Sequence, residues 1–138
     1  MSLEDVDLID WTVFGQCRAE LGADFVRILG YFREDGIKSV QAIEDALRAM
    51  NAVGIVVPAH TLKGESRQFG AEPLGDLAEV IETGARACIE HRDTPEALLA
   101  DIVKLRPLFE RSLELLERES NPLVERRRAP MGFGRAGL

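Results

Sequence analysis

A chain of 138 residues, 46% of them apolar and 30% charged, is long enough for one domain with a buried core. Its formal charge of −7 is uneven: residues 121–138 carry Arg126, Arg127, Arg128 and Arg135 against Glu125, so residues 1–120 hold −10. That acidic body argues against nucleic acid, whose phosphates need a basic face, and no apolar run approaches the roughly 18 residues that span a bilayer.

The first seven residues, Met-Ser-Leu-Glu-Asp-Val-Asp, are acidic and lack the basic and apolar regions of a signal peptide, so a cytoplasmic location is expected. Residues 1–9 read as a loose lead-in. Asp10 can cap a short helix to about Leu21, with Trp11, Phe14 and Cys17 turned inward and Gly22 stopping it. A second helix is predicted from near Asp24 to about Asn51. Its apolar positions are Phe25, Leu29, Phe32, Val40, Ile43, Leu47 and Met50, and Gly36 fills the missing slot. Asp35-Gly36 offers an alternative break.

The third helix is predicted over Ala52 to Phe69, capped by Gly70, with a kink at Pro58; in the alternative, the helix starts at Pro58. A fourth follows Glu72-Pro73, with Leu74, Leu77, Ala78, Ile81, Ala85 and Cys88 as its stripe, and reaches about Arg92. Thr94-Pro95-Glu96 starts the last, which buries Leu98, Ile102, Leu105, Phe109, Leu113 and Leu116, is expected to kink at Pro107, and ends at Asn121-Pro122. The expected fold is all-α: an antiparallel up-down-up-down four-helix bundle with a short extra N-terminal helix, over residues 1–120. Residues 121–138 form a basic, Gly/Pro/Arg-rich tail, expected to be disordered. Cys17 and Cys88 lie far apart with no CxxC pattern and read as buried reduced thiols.

The stretch from Ala59 to Gly70 stands out. Ile55, Ala59, Leu62, Ser66 and Phe69 share the core side of a helix, and His60, Lys63, Gly64 and Arg67 fall roughly opposite. A glycine inside a helix costs about 1 kcal/mol against alanine. Beside an exposed imidazole it has a use, because it lets another molecule approach. Val53, Val56 and Val57 share the histidine's face and suggest an apolar docking patch. The turn between the third and fourth helices centres near residue 71. Antiparallel packing therefore brings Glu82 level with His60, where a carboxylate on a ring N–H would fix the tautomer.

Ala59-His60-x-Leu62-Lys63-Gly64, followed by Phe69-Gly70, Leu74, Ile81 and Glu82, resembles the histidine-containing phosphotransfer (HPt) domains of multistep phosphorelays. The resemblance covers roughly residues 8 to 118. It implies that His60 is phosphorylated, on Nε2, by the aspartyl phosphate of a receiver domain and passes the group to a second receiver. It further implies that Lys63 offsets phosphate charge and Gly64 admits the partner. HPt domains often carry Gln or Glu near the histidine, which points again to Glu82. Arg67, one turn beyond Lys63, is a weaker supporting cation. No cofactor or metal site of its own is expected; Mg²⁺ would belong to the receiver. The expected partners are receiver domains of response regulators or hybrid sensor kinases, with no nucleic acid and no membrane, and the chain is expected to be a monomer.

Rival functions lack residues. The dimerising histidine domain of a sensor kinase would carry an acid and a Thr-Pro pair after its histidine, where Thr61 and Glu65-Ser66 stand. Nothing resembles a nucleotide-binding half, so a phosphocarrier is expected and not an enzyme. A metal-holding bundle would need Glu-x-x-His pairs on facing helices. His91 has no chemical company, and Ser66 no positioned base. A helical adaptor that binds signalling partners through the same face without carrying phosphate is the alternative.

Overall fold

The computed structural model describes residues 8–120, and the expected tail lies outside them. The chain forms α1 (Trp11–Leu21), a one-turn 3₁₀ segment (Gly22–Asp24), then α2 (Phe25–Arg48), α3 (Val53–Gln68) and α4 (Glu72–Glu90). A second 3₁₀ turn (Pro95–Leu98) leads into α5 (Leu99–Ser120). Each long helix packs on the next, and α5 returns to α2. The result is the up-down-up-down bundle that the four apolar stripes require. Among the described residues no helix is long and apolar enough to cross a membrane.

The stripes do the packing. Ile55, Ala59 and Leu62 of α3 and Leu74, Ala78 and Ile81 of α4 are wholly buried. Each large aliphatic side chain so buried contributes about 1.5–3 kcal/mol, enough to hold α3 and α4 in one register. Phe32, Phe69 and Phe109 meet in the centre, Phe32 lying 5.4 Å from Phe69 and 5.8 Å from Phe109 between ring centroids. Gly36 is fixed by that cluster, since a Cβ there would stand 2.2 Å from the Phe109 ring. The second helix therefore runs through Asp35-Gly36 unbroken, as its apolar phase requires. Likewise α3 continues through Pro58 and α5 through Pro107. The alternative start at Pro58 is excluded, because Gly54–Val57 are already helical.

Several expectations are corrected at the ends. The lead-in is not loose at Leu8 and Ile9, which are buried. Asp10 explains this: its backbone N–H donates to Gly70 O at 2.7 Å, and its carboxylate accepts from Thr12 N at 3.0 Å. The entry to α1 is thereby fastened to the turn between α3 and α4. Gly70 is required there twice over, by a φ of 86° and by the 2.5 Å that would separate a Cβ from Asp10 O. Trp11 stays 40% exposed, laid edge-on against Phe14, because α1 crosses only the bundle's end. Met50 is 42% exposed with a φ of 57°; α2 stops at Arg48, and Met50 belongs to the reversal. Leu47 and Leu77 are half-buried. Thr94-Pro95-Glu96 opens a 3₁₀ turn and α5 follows four residues later. Both cysteines are free and buried.

Candidate functional site

Because Ile55, Ala59, Leu62 and Ser66 take the core side of α3, His60 and Gly64 are turned out. The His60 side chain is 63% exposed and that of Lys63 23%, whereas Glu82, on α4, is only 6% exposed. The antiparallel α3–α4 pair brings Glu82 to His60, with its Oε2 3.0 Å from Nδ1. Lys63 Nζ stands 3.0 Å from Oε1 as an ion pair. Arg86, one turn along α4, donates to Oε2 from Nε at 3.2 Å and from Nη2 at 2.8 Å.

Burial by itself would raise the Glu82 pKa. The hydrogen bonds from Arg86 and His60, together with the Lys63 ion pair, outweigh it and hold the carboxyl down at about 2. Glu82 is thus ionised across the physiological range and offers only acceptors. Nδ1 of His60 therefore carries the hydrogen, and the lone pair is left on Nε2 of the exposed ring.

Gly64 has a different logic from Gly36 and Gly70. A Cβ built at Gly64 would meet nothing within 4 Å among the described residues, so no packing among them requires glycine there. The bare position is exposed beside His60 and Lys63, where it leaves room for something outside the chain.

Arg67 is drawn elsewhere. Its Nη2 donates to Asp76 at 2.9 Å and Glu79 at 2.6 Å, both on α4. Its stem lies over Gly75, where a Cβ would approach to 2.8 Å. Arg67 thus straps the α3–α4 hairpin and is not among the groups around Glu82. The valines divide as well. Val53 and Val57 are exposed, Val57 at 71%, whereas Val56 is half-buried and packs on the core. Val56 is about 100° from Val57 around the helix, which swings it towards the interior.

The sequence reading missed Arg86, although its i,i+4 spacing from Glu82 was a usable signal. It also missed Glu65. This side chain on α3 faces Asp35 of α2, and its burial and that second carboxylate push its pKa up to about 7. No group of three or more His, Cys, Asp or Glu side chains converges among the described residues.

Comparison with known proteins agrees with the bundle. The crystal structure of histidine-containing phosphotransfer protein B (HptB) from Pseudomonas aeruginosa PAO1 is similar, with a TM-score of 0.71 and 23% identity. The likeness covers 81% of this chain and 93% of that one, and at this identity it speaks to the fold. No curated protein matches the chain. The Hpt domain family matches residues 27–119, a span that includes His60, Lys63, Gly64, Glu82 and Arg86. The chain therefore belongs to the Hpt family of histidine phosphotransfer domains, which are phosphocarriers of phosphorelays.

Proposed function

We propose that this chain relays a phosphoryl group between the aspartates of receiver domains and carries it on His60. The observation that carries the reading is the exposed imidazole whose Nδ1 lies 3.0 Å from a buried, ionised Glu82. That contact leaves Nε2 as the nucleophile and directs it to solvent. The lone pair on Nε2 attacks the phosphorus of an aspartyl phosphate in line. The Nε2–P bond forms as the acyl P–O bond breaks, and the electron pair returns to the receiver's carboxylate. The ring retains its Nδ1–H and becomes a phosphoimidazolium, whose positive charge Glu82 opposes. The reverse step delivers the group to a second aspartate.

In this reading Lys63 offsets charge on the phosphoryl oxygens. Gly64 admits the receiver's surface, and Val53 and Val57 provide apolar contact on the same helix. Magnesium is the receiver's contribution. The chain supplies no nucleotide site, acts as a monomer, and engages neither nucleic acid nor membrane.

The test is incubation with a panel of phosphorylated receiver domains, followed by mapping of the label. Acid-labile phosphate should appear on His60. The variant His60→Gln should fold with an unchanged circular dichroism spectrum and take up none. Equal labelling of that variant would refute the assignment, and a native chain that binds receivers without label would be the adaptor instead.

A further inference from the structure

The three groups around Glu82 divide unequally between its two oxygens. Oε2 receives Arg86 through both Nε and Nη2, and Nδ1 of His60 as well. Oε1 meets the Lys63 ammonium at 3.0 Å, but no aligned hydrogen-bond donor reaches it. Arg86 therefore grips one oxygen with a fork, while Lys63 holds the other by charge alone.

Resting on the phosphocarrier reading above, we propose that Arg86 is a positioning residue: it anchors the Glu82 carboxylate through Oε2, so that Lys63 can trade its ion pair with Oε1 for one with the phosphoryl group on His60.

Lys63 is the only lysine on α3, and at rest it is committed to Glu82. To reach a phosphoryl group on Nε2 it has to leave that carboxylate. A buried carboxylate abandoned by its cation is strongly unfavourable, so the exchange needs a second cation that stays. Arg86 meets that need. Its guanidinium remains charged at any accessible pH, and it lies at i+4 from Glu82 on the same helix, so the pair is preformed. The incoming phosphoryl group also adds negative charge close to Glu82. With Oε2 anchored, the carboxylate keeps its place under Nδ1–H rather than turning away.

The Arg86 side chain is more than half exposed, so replacing it opens no core. Phosphoramidate serves as a small phosphoryl donor in place of a receiver, and the full chain is used throughout. Arg86→Gln should slow formation of phosphohistidine by about tenfold, and Arg86→Lys should stay within about threefold of the native chain. Lys63→Gln should cost about tenfold alone but less than about threefold on top of Arg86→Gln, because without Arg86 the lysine is already pinned. Independently of any phosphate, the ¹⁵N ring shifts of His60 at fixed pH should show the Nδ1–H tautomer giving way to a mixture in Arg86→Gln. The cause is that Glu82 Oε2, without Arg86, no longer keeps its place under Nδ1; Arg86→Lys should restore the tautomer. Independent, multiplicative losses from the two substitutions would overturn the exchange. An unchanged tautomer with normal uptake in Arg86→Gln would overturn the Arg86 assignment alone. Failure of the native chain to become phosphorylated would overturn the phosphocarrier reading, and the exchange with it.

Discussion

Glu82 on α4 and Glu65 on α3 sit in opposite electrostatic settings. Glu82 is the more deeply buried, yet its pKa is held at about 2, because Arg86, Lys63 and His60 converge on it. Glu65 is only half-buried, yet its pKa is pushed up to about 7, first by that burial and then by Asp35, which faces it. Depth alone would rank them the other way. Burial raises the pKa of both, and at Glu82 the cations around it reverse that effect. The cationic company is on the α4 side, where it serves the ring of His60. The α2 side carries an acid pair that only loads the fold.

The strongest way to break this contrast is Glu82→Ala. It frees the Nδ1 hydrogen of His60 from its acceptor and leaves two cations without a counter-charge. Phosphate uptake from a receiver should fall by about 10- to 100-fold, as when an orienting partner is lost elsewhere. Stability should drop by about 1–2 kcal/mol, a figure discounted because Arg86 is largely in solvent. Transfer kinetics and urea denaturation measure both, and native-like uptake would show that the carboxylate does not orient the ring. The same residue predicts an acid limb. Its folded pKa lies below the ordinary 4.5, so its stabilisation is complete above that value and fades as pH falls through about 2.

The other side predicts the reverse trend. Glu65 binds its proton more tightly when folded, so stability declines as pH rises from 4.5 to about 7 and stays reduced above. Glu65→Gln should remove that decline and stabilise the chain by about 1 kcal/mol at pH 8, with little change near pH 4. Urea midpoints at the two pH values read the effect. An equal gap in native chain and variant would mean that the acid pair is fully solvated.

The smallest effect on the fold is expected at Gly64, on the ridge between these two sides. Gly64→Ala meets no atom of the described residues and should stabilise the helix by up to about 1 kcal/mol. It should weaken transfer from a receiver while leaving phosphorylation by phosphoramidate unchanged. Equal transfer from the receiver would remove the steric reading of this glycine.

Much of this arrangement was legible residue by residue. The steps of three and four through Ile55, Ala59, Leu62 and Ser66 placed the core side of α3, and with it the outward aim of His60. Counting outward from the turn near residue 71 brought Glu82 to the ring, because antiparallel helices with a tight turn keep register. Arg67 was misjudged for a physical reason. Its own helix does place it one turn beyond Lys63, but its guanidinium follows Asp76 and Glu79 on the neighbouring helix. Arg86 was missed because an i,i+4 Glu-Arg pair is ordinarily a solvated surface pair, and only the burial of Glu82 gives it weight. Val56 turned inward because a face is a continuum of angles and the bundle chose where its edge lies.

The sequence by itself determined the helices, their apolar sides, and which histidine stands exposed beside a lysine and a glycine. These are consequences of spacing along one chain, and a helix converts spacing into direction without help. The tertiary structure alone decided which charges meet. Long side chains such as Arg67 and Lys63 reach several ångströms, and their partners are chosen by the helix packed alongside. The ionisation of Glu82 and Glu65 follows from those choices.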